Sequence, residues 1–407
     1  MPNEVTIGSV ALPGRSGAYS VTLRNGLIAA VRPAEQAGDA AWLALPGLVN
    51  QHAHADRAYT VDAFRPRSFA DASAAAGLAR AAFTAADVQA RATRLFERSV
   101  SHGVIRIRTH TDVDPIVELR SMEGVLAAKQ AMAGRIDVDI IAFSTSKNDL
   151  ADPYAVLRLK DAVGLGAGLI GASLNSSADP PRALAALLDA AEHARLPVDI
   201  HLDEHLEPHQ MLAGLVADAV IARGLQGLVT LSHLCVLAAL NSKIAGELIK
   251  KLARAEVTVV ALPETNLFLQ DRGEGSPLRR GVTLVRELLA AGVKVRLGTD
   301  NVRDWFFPFG DADMLDTALF AAVAAHLDDE AELLAAICDG RSTIGEGDPA
   351  DLVLLKALSF DDALSRRPAE RTVFKAGRQV EGETARDLTG CRMIRKEETI
   401  EKGPCSR

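Results

Sequence analysis

Through the first 46 residues apolar and polar positions alternate in short runs, as in Tyr19-Ser-Val-Thr-Leu23 and Leu27-Ile-Ala-Ala-Val31, with Gly and Pro between them. A period of two interrupted by turn formers predicts a small sheet and no helix. From Leu48 to about Ile344 the texture changes to short, almost wholly apolar runs separated by Ala/Leu-rich amphipathic stretches. The runs are the segment entering His52, Val104–Arg108, Val138–Ala142, Leu169–Ala172, Val198–His201, Val229–His233, Val257–Ala261 and Val293–Leu297. Eight such strands with helices between them predict a (β/α)8 TIM barrel, in which functional groups gather at the C-terminal strand ends. A doubly wound open sheet is the second architecture compatible with this alternation.

Beyond Pro349 the pattern returns to strands, in Ala350–Leu355 and in a hairpin over Arg371–Val380. The organisation expected is a small β-sandwich domain built from both chain ends, residues 1–46 and 345–391, beside a barrel over residues 47–344. The connection between Cys338 and Ala350 is short. Residues 392–407 are charged and contain Gly and Pro, and form a tail expected to be weakly ordered or packed on a neighbour.

Composition narrows the class. With 407 residues and 48% hydrophobic content the chain can bury a large core. A net charge of −8, with no basic block interleaved with aromatics, gives no footprint for nucleic acid. The four cysteines, Cys235, Cys338, Cys391 and Cys405, are widely spaced and include no Cys-x-x-Cys pair, which fits a reducing compartment and excludes a thiolate zinc site. No long uncharged apolar run marks a membrane span or a signal peptide, so a cytoplasmic location is expected. A homo-oligomer acting on a small molecule is the expected working form.

Chemistry enters with Pro46-Gly-Leu-Val-Asn-Gln-His52-Ala-His54-Ala-Asp56-Arg57. Two histidines at i and i+2 on an extended segment project to one side and can reach one metal ion. The fifth strand then ends in His201, the sixth in His233, and the eighth in Gly298-Thr-Asp300. Singly, a strand-end histidine is equally a satisfied polar group, and Thr-Asp before a loop is equally a helix N-cap. Together they supply His52, His54, His201 and Asp300 at one end of one barrel, a donor set that suits a catalytic zinc or ferrous ion with a position open to water. Glu204, three residues beyond His201, can stand near the ion without ligating it and act as a proton shuttle, and His233 can polarise the water or a substrate carbonyl.

These segments resemble the amidohydrolase superfamily, in particular its cytosine deaminase-like branch. The resemblance rests on the His-x-His after Pro-Gly-Leu-Val-Asn, on His201-Leu-Asp-Glu204, Ser232-His233 and Gly298-Thr-Asp300. It extends over Arg108-Thr-His110-Thr-Asp-Val113, Leu267–Gln270, Arg279-Arg-Gly281 and Asp300–Gly310. It implies one divalent ion, zinc or iron. The fourth strand ends in Gly171-Ala-Ser-Leu-Asn175, without the lysine that would bridge a second ion.

Two departures bear on the substrate. Cytosine deaminases carry a glutamine after the third strand where this chain has Thr145, and a second acid after the metal aspartate where it has Asn301. A threonine hydroxyl cannot make the paired donor and acceptor contact of an amide, so cytosine is not the expected best substrate. The run Asp300-Asn-Val-Arg-Asp-Trp also resembles N-alkylammelide amidohydrolases, and Trp305 and Phe306 are candidates to stack on a planar ring. The function expected is metal-dependent hydrolytic deamination of a small nitrogen heterocycle. Water activated by the ion and oriented by Asp300 and His233 attacks an amidine-like carbon, while Glu204 carries its proton to the departing nitrogen. The alternatives are removal of an alkylamine, opening of a cyclic amide, and a non-catalytic scaffold on the same fold.

Overall fold

A computed structural model of the protein describes residues 4–34, 42–61, 63–273, 279–381 and 393–395. Two compact units emerge, Leu48–Ser342, and Met1–Gly47 together with Thr343–Arg407.

In the larger unit eight parallel strands follow one another in chain order: Leu48–Ala53, Val104–Val113, Asp137–Ser144, Leu169–Ser173, Val198–Leu202, Val229–His233, Thr258–Ala261 and Lys294–Leu297. Leu48–Ala53, Val198–Leu202 and Val229–His233 are buried at every position, because side chains face the barrel interior on one side and the helix layer on the other. This double burial is why the strands read as continuous apolar runs. The helices show the complementary pattern. Ala85–Ser101 starts at Thr84, whose hydroxyl accepts the Asp87 N–H, and buries Val88, Ala92, Leu95, Phe96 and Val100 along one stripe.

The barrel closes between its last and first strands, and the closure sets the site. Asn50 Nδ2 donates to Thr299 Oγ1 (2.8 Å) and its Oδ1 accepts the Thr299 N–H (3.1 Å). The Asp300 N–H donates to the His52 carbonyl (2.9 Å). Gly298 permits this approach, since a Cβ there would stand 2.6 Å from His52 Cβ and 2.8 Å from His52 N. Gly298→Ala is therefore expected to destabilise the protein by about 1–3 kcal/mol in denaturant unfolding. An unchanged midpoint would show that the last strand can move away without loss.

In the smaller unit the strand order is Arg378–Glu381, Arg371–Lys375, Leu352–Leu355, Trp42–Pro46, Glu4–Ala11, Tyr19–Arg24 and Leu27–Pro33. Glu4–Ala11 breaks register between Ile7 and Val10, where Ser9 has φ 56°, and so pairs with Tyr19–Arg24 along most of its length but with Trp42–Pro46 only from Val10 onward. Ile7, Val21, Leu23 and Ile28 thereby share one core with Trp42, Leu352, Leu354 and Phe374. Of the expected tail, Met393–Arg395 is not loose chain but a further strand, antiparallel to Val5–Ile7. That edge of Glu4–Ala11 has unpaired backbone groups to offer, which a charged, irregular sequence does not advertise. The rest of 392–407 lies outside the described residues. Among those described, no helix is long and apolar enough to cross a membrane.

Candidate active site

The C-terminal strand ends converge on a cleft of about 650 Å³, counted to its open mouth. His54, Thr145, His201, Glu204, His233, Asp300, Asn301 and Phe306 all line it. His52 lies beneath, fully buried, with Nε2 3.5 Å from Asp300 Oδ1. Trp305 does not line the cleft. The Asp304 carboxylate accepts the backbone N–H groups of Phe306 and Phe307 in a tight turn, and of these aromatics it is Phe306 that faces the cleft, packed on Phe69 at 5.7 Å between ring centroids.

Backbone conformation helps aim the polar groups. His233 (φ 75°) and Asp300 (φ 58°) leave their strands in the left-handed region, a strained geometry for residues other than glycine that recurs at functional sites. Asp203 (φ 53°) does the same but turns away: its carboxylate accepts from Asn175 Nδ2 and the Leu212 and Ala213 N–H groups, which fixes the loop and leaves Glu204 to enter the cleft. That loop is held from outside as well. Gln270 Nε2 donates to the Glu204 carbonyl (3.3 Å) and Arg279 Nη1 to the Leu206 carbonyl (2.9 Å). His205 bonds Asn175 and does not line the cleft.

His52, His54, His110 and His201 form one set of mutually close donor atoms, and His52, His233 and Asp300 another. His54 Nε2 lies 3.2 Å from His201 Nε2 and 3.3 Å from Asp300 Oδ1. His52 Nδ1 donates to Ser232 Oγ (2.9 Å), which in turn donates to Asp199 Oδ1 (3.2 Å), so the lone pair of His52 is on Nε2 and faces Asp300. Burial pushes the His52 imidazole down to about 4 and that of His233 to about 3, so both are neutral near pH 7. Burial alone would raise Asp300, but the adjacent His52 and His54 imidazoles outweigh it and hold the carboxyl well below its usual range. His52 Nε2 and Asp300 Oδ2 are buried without a partner. Neutral imidazoles and an ionised carboxylate whose free atoms converge are what a divalent cation requires. No lysine lines the cleft among the described residues.

Two groups stand beside this cluster. Asn266 Nδ2 donates to His233 Nδ1 (3.1 Å), which leaves the His233 proton on Nε2. Glu204 Oε1 lies 3.5 Å from His233 Nδ1, and burial, then the charge of Asp300, pushes its carboxyl well above the ordinary range. The two polar candidates for substrate contact are already engaged. Thr145 Oγ1 donates to Asp114 Oδ2 (2.9 Å) and accepts the Lys147 N–H (3.1 Å). Asn301 Nδ2 donates to Asp304 Oδ2 (2.7 Å), and its Oδ1 faces Thr265 Oγ1 at 3.5 Å.

Sequence reasoning assigned no role to His110, Asp199, Arg57 or Arg80. His110 Nε2 lies 3.2 Å from Asp199 Oδ1, whose carboxylate also takes Arg108 Nη1 at 3.0 Å. The spacing Arg108, His110, Asp112 places all three on one face of the second strand, a signal available from parity alone. Arg57 and Arg80 line the cleft and share Asp112, with Arg80 Nη1 2.8 Å from Oδ2 and Arg57 Nη1 3.7 Å from Oδ1.

The profile of the amidohydrolase family (Amidohydro_3) matches residues 70–381. A pterin deaminase of Rhizobium rhizogenes is 31% identical over 93% of each chain. The fold is similar to that of a 5-methylcytosine deaminase from Klebsiella pneumoniae, with a TM-score of 0.85, 25% identity, and coverage of 93% of this chain and 98% of that one. An N-isopropylammelide isopropylaminohydrolase from Burkholderia multivorans gives a TM-score of 0.78 at 27% identity, covering 92% and 97%. The chain thus belongs to the amidohydrolase family and is a hydrolase of non-peptide carbon–nitrogen bonds.

Proposed function

We propose that the protein deaminates a pterin-type ring, a 2-amino-4-oxo pyrimidine fused to a second ring, with one zinc or ferrous ion held by His52, His54, His201 and Asp300. The observation that carries this reading is the engagement of Thr145 with Asp114 and of Asn301 with Asp304, which ties up the side chains at the two cytosine-reading positions even though both line the cleft. The Phe69–Phe306 wall offers an apolar face to a flat bicycle. The 31% identity to a pterin deaminase supports the same ring. Cys235 and Cys338 are buried and form no disulfide, in keeping with a reducing, cytoplasmic setting.

When bound, the ion supplies the Lewis acidity that brings the pKa of a water near neutrality. Glu204 takes one proton from the attacking water on its carboxylate and delivers it to the ring nitrogen next to the reacting carbon, then takes the remaining hydroxyl proton and passes it to the amine. Its raised pKa suits it to hold that proton between the two transfers. His233 donates from Nε2 to the oxygen on which charge builds. The carbon–nitrogen bond breaks, ammonia leaves, and the carbon keeps the water oxygen as a carbonyl.

The test is ammonia or amine release from pterin, isocytosine, cytosine and an N-alkylamino-triazine on one preparation of known metal content. Pterin is expected to have the highest kcat/KM, with cytosine lower by about one to two decades for each ring group left unpaired. Cytosine at the head of the series would overturn the reading, and alkylamine release at its head would favour the ammelide-type reaction. Absence of both stoichiometric metal and turnover would identify a scaffold.

A further inference from the structure

With Thr145 and Asn301 engaged elsewhere, another group must meet the substrate's ring carbonyl, since a buried oxygen left without a donor weakens binding and slows reaction. We infer that Arg57 is the specificity-determining residue for that carbonyl, donating from its guanidinium to the carbonyl oxygen that is conjugated through the ring with the nitrogen that Glu204 protonates. This rests on the pterin-type reading above, which supplies such an oxygen.

Arg57 follows His54 by three residues, lines the cleft, and is only 8% exposed. It is held on three sides. Nε lies 3.2 Å from Asp304 Oδ2, Nη1 is 3.7 Å from Asp112 Oδ1, and the guanidinium lies over the Phe306 ring at 4.8 Å from its centroid. Asp304 is itself fixed by Asn301 Nδ2 and by the Phe306 and Phe307 N–H groups. A guanidinium has five donors, and two carboxylates at two of its nitrogens do not exhaust them. The carboxylates offset its charge, so the side chain is preorganised without being a free cation in a buried wall. Its field reaches both ends of the reacting geometry, lowering the pKa of Glu204 and interacting with Asp300.

The chemistry gives such a donor work to do. When water adds to the amidine carbon, negative charge builds on the adjacent imine-type ring nitrogen and is shared, through the conjugated ring, by the carbonyl oxygen. A cationic donor on the oxygen stabilises this charge more than it stabilises the ground state. Asn301, one residue beyond Asp300, thereby acts through Asp304 as a brace for the arginine and not as the anchor for the ring.

The experiment compares pterin with 2-aminopteridine, the same bicycle without the carbonyl, on wild-type, R57M and R57K holoenzymes of measured metal content. A charge-assisted contact predicts that the wild-type preference for pterin falls roughly ten- to a hundredfold in R57M. It is expected to fall less in R57K, which keeps a charged donor but not the planar fork. Binding of the product, pteridine-2,4-dione, followed by fluorescence, is expected to weaken in R57M by a similar factor at wild-type metal content. A proportional loss on both substrates in R57M and R57K, with the preference intact, would make Arg57 a structural brace only and overturn the inference. If the wild type turns over neither bicycle, the pterin-type reading has failed by itself. The role of Arg57 is then decided on isocytosine and 2-aminopyrimidine, which differ by the same carbonyl and whose preference must collapse in the same way.

Discussion

Replacing Asp300 by alanine is expected to remove the metal and the activity together, and His52→Ala is expected to do the same. Asp300 is the one carboxylate in the two histidine clusters, with Oδ1 3.3 Å from His54 Nε2 and 3.5 Å from His52 Nε2, and Oδ2 buried and unpartnered. It is ionised in the folded protein because the adjacent His52 and His54 imidazoles outweigh the effect of burial. Without it, a divalent ion would sit among neutral imidazoles in a buried pocket with nothing to balance its charge. The other carboxylates near these histidines are already engaged, Asp199 with Arg108, His110 and Ser232, Asp112 with Arg80, and Asp56 with the Asp112 N–H. Metal affinity is expected to fall on the order of a hundredfold or more. Metal analysis after gel filtration, with ammonia release on the same sample, measures both. In the wild type, added zinc should also raise the melting temperature, because an ion that binds only the folded chain stabilises it, whereas Asp300→Ala should show no such rise. Full occupancy and wild-type turnover in either variant would show that the ligand set is wrong.

What could be read from the sequence follows from how local each determinant is. Barrel strands are legible because double burial makes them apolar throughout, and His201, His233 and Asp300 stand out as polar residues at their ends. His52 and His54 are legible through parity, although the strand runs on to Ala53 and His52 lies inside it. Helix and strand ends shift by one to a few residues, most of all in the second strand, which extends five residues past Arg108 to Val113 because polar Thr109, His110, Thr111 and Asp112 are all buried there. A polar run reads as loop when its burial is unknown.

Roles that depend on distant partners were not legible. Arg57 and Asp304 are 247 positions apart, and nothing near either one announces the pair. Thr145 was found at its position, but its hydroxyl is committed to Asp114, 31 residues earlier. Trp305 and Phe306 are equivalent as sequence; the turn at Asp304 sends only Phe306 to the cleft, while Phe307 joins Phe268 and Phe309 in an edge-to-face cluster. Asp203 and Glu204 are likewise adjacent acids, and it is the backbone of Leu212 and Ala213, donating to Asp203, that assigns one to structure and the other to the cleft.

Glu204→Gln is expected to keep the metal and lose activity by a factor on the order of a hundred to ten thousand, the usual contribution of a positioned acid/base. The substitution preserves size, and the loop contact made by Gln270 is to the Glu204 main-chain carbonyl, so the loop should hold its place. What the amide cannot do is take a proton from water and return it to nitrogen. The side chain is largely buried, which makes a carboxylate harder to accommodate than an amide, so the variant should melt no lower than the wild type. Metal analysis, a thermal melt and single-turnover ammonia release on one preparation separate these expectations. Lost activity with wild-type metal content and stability would identify Glu204 as the proton carrier. Activity within a few fold of wild type would mean that another group moves the proton, and the geometry then favours His233, whose Nδ1 lies 3.5 Å from Glu204 Oε1, over His205, which is turned toward Asn175 outside the cleft.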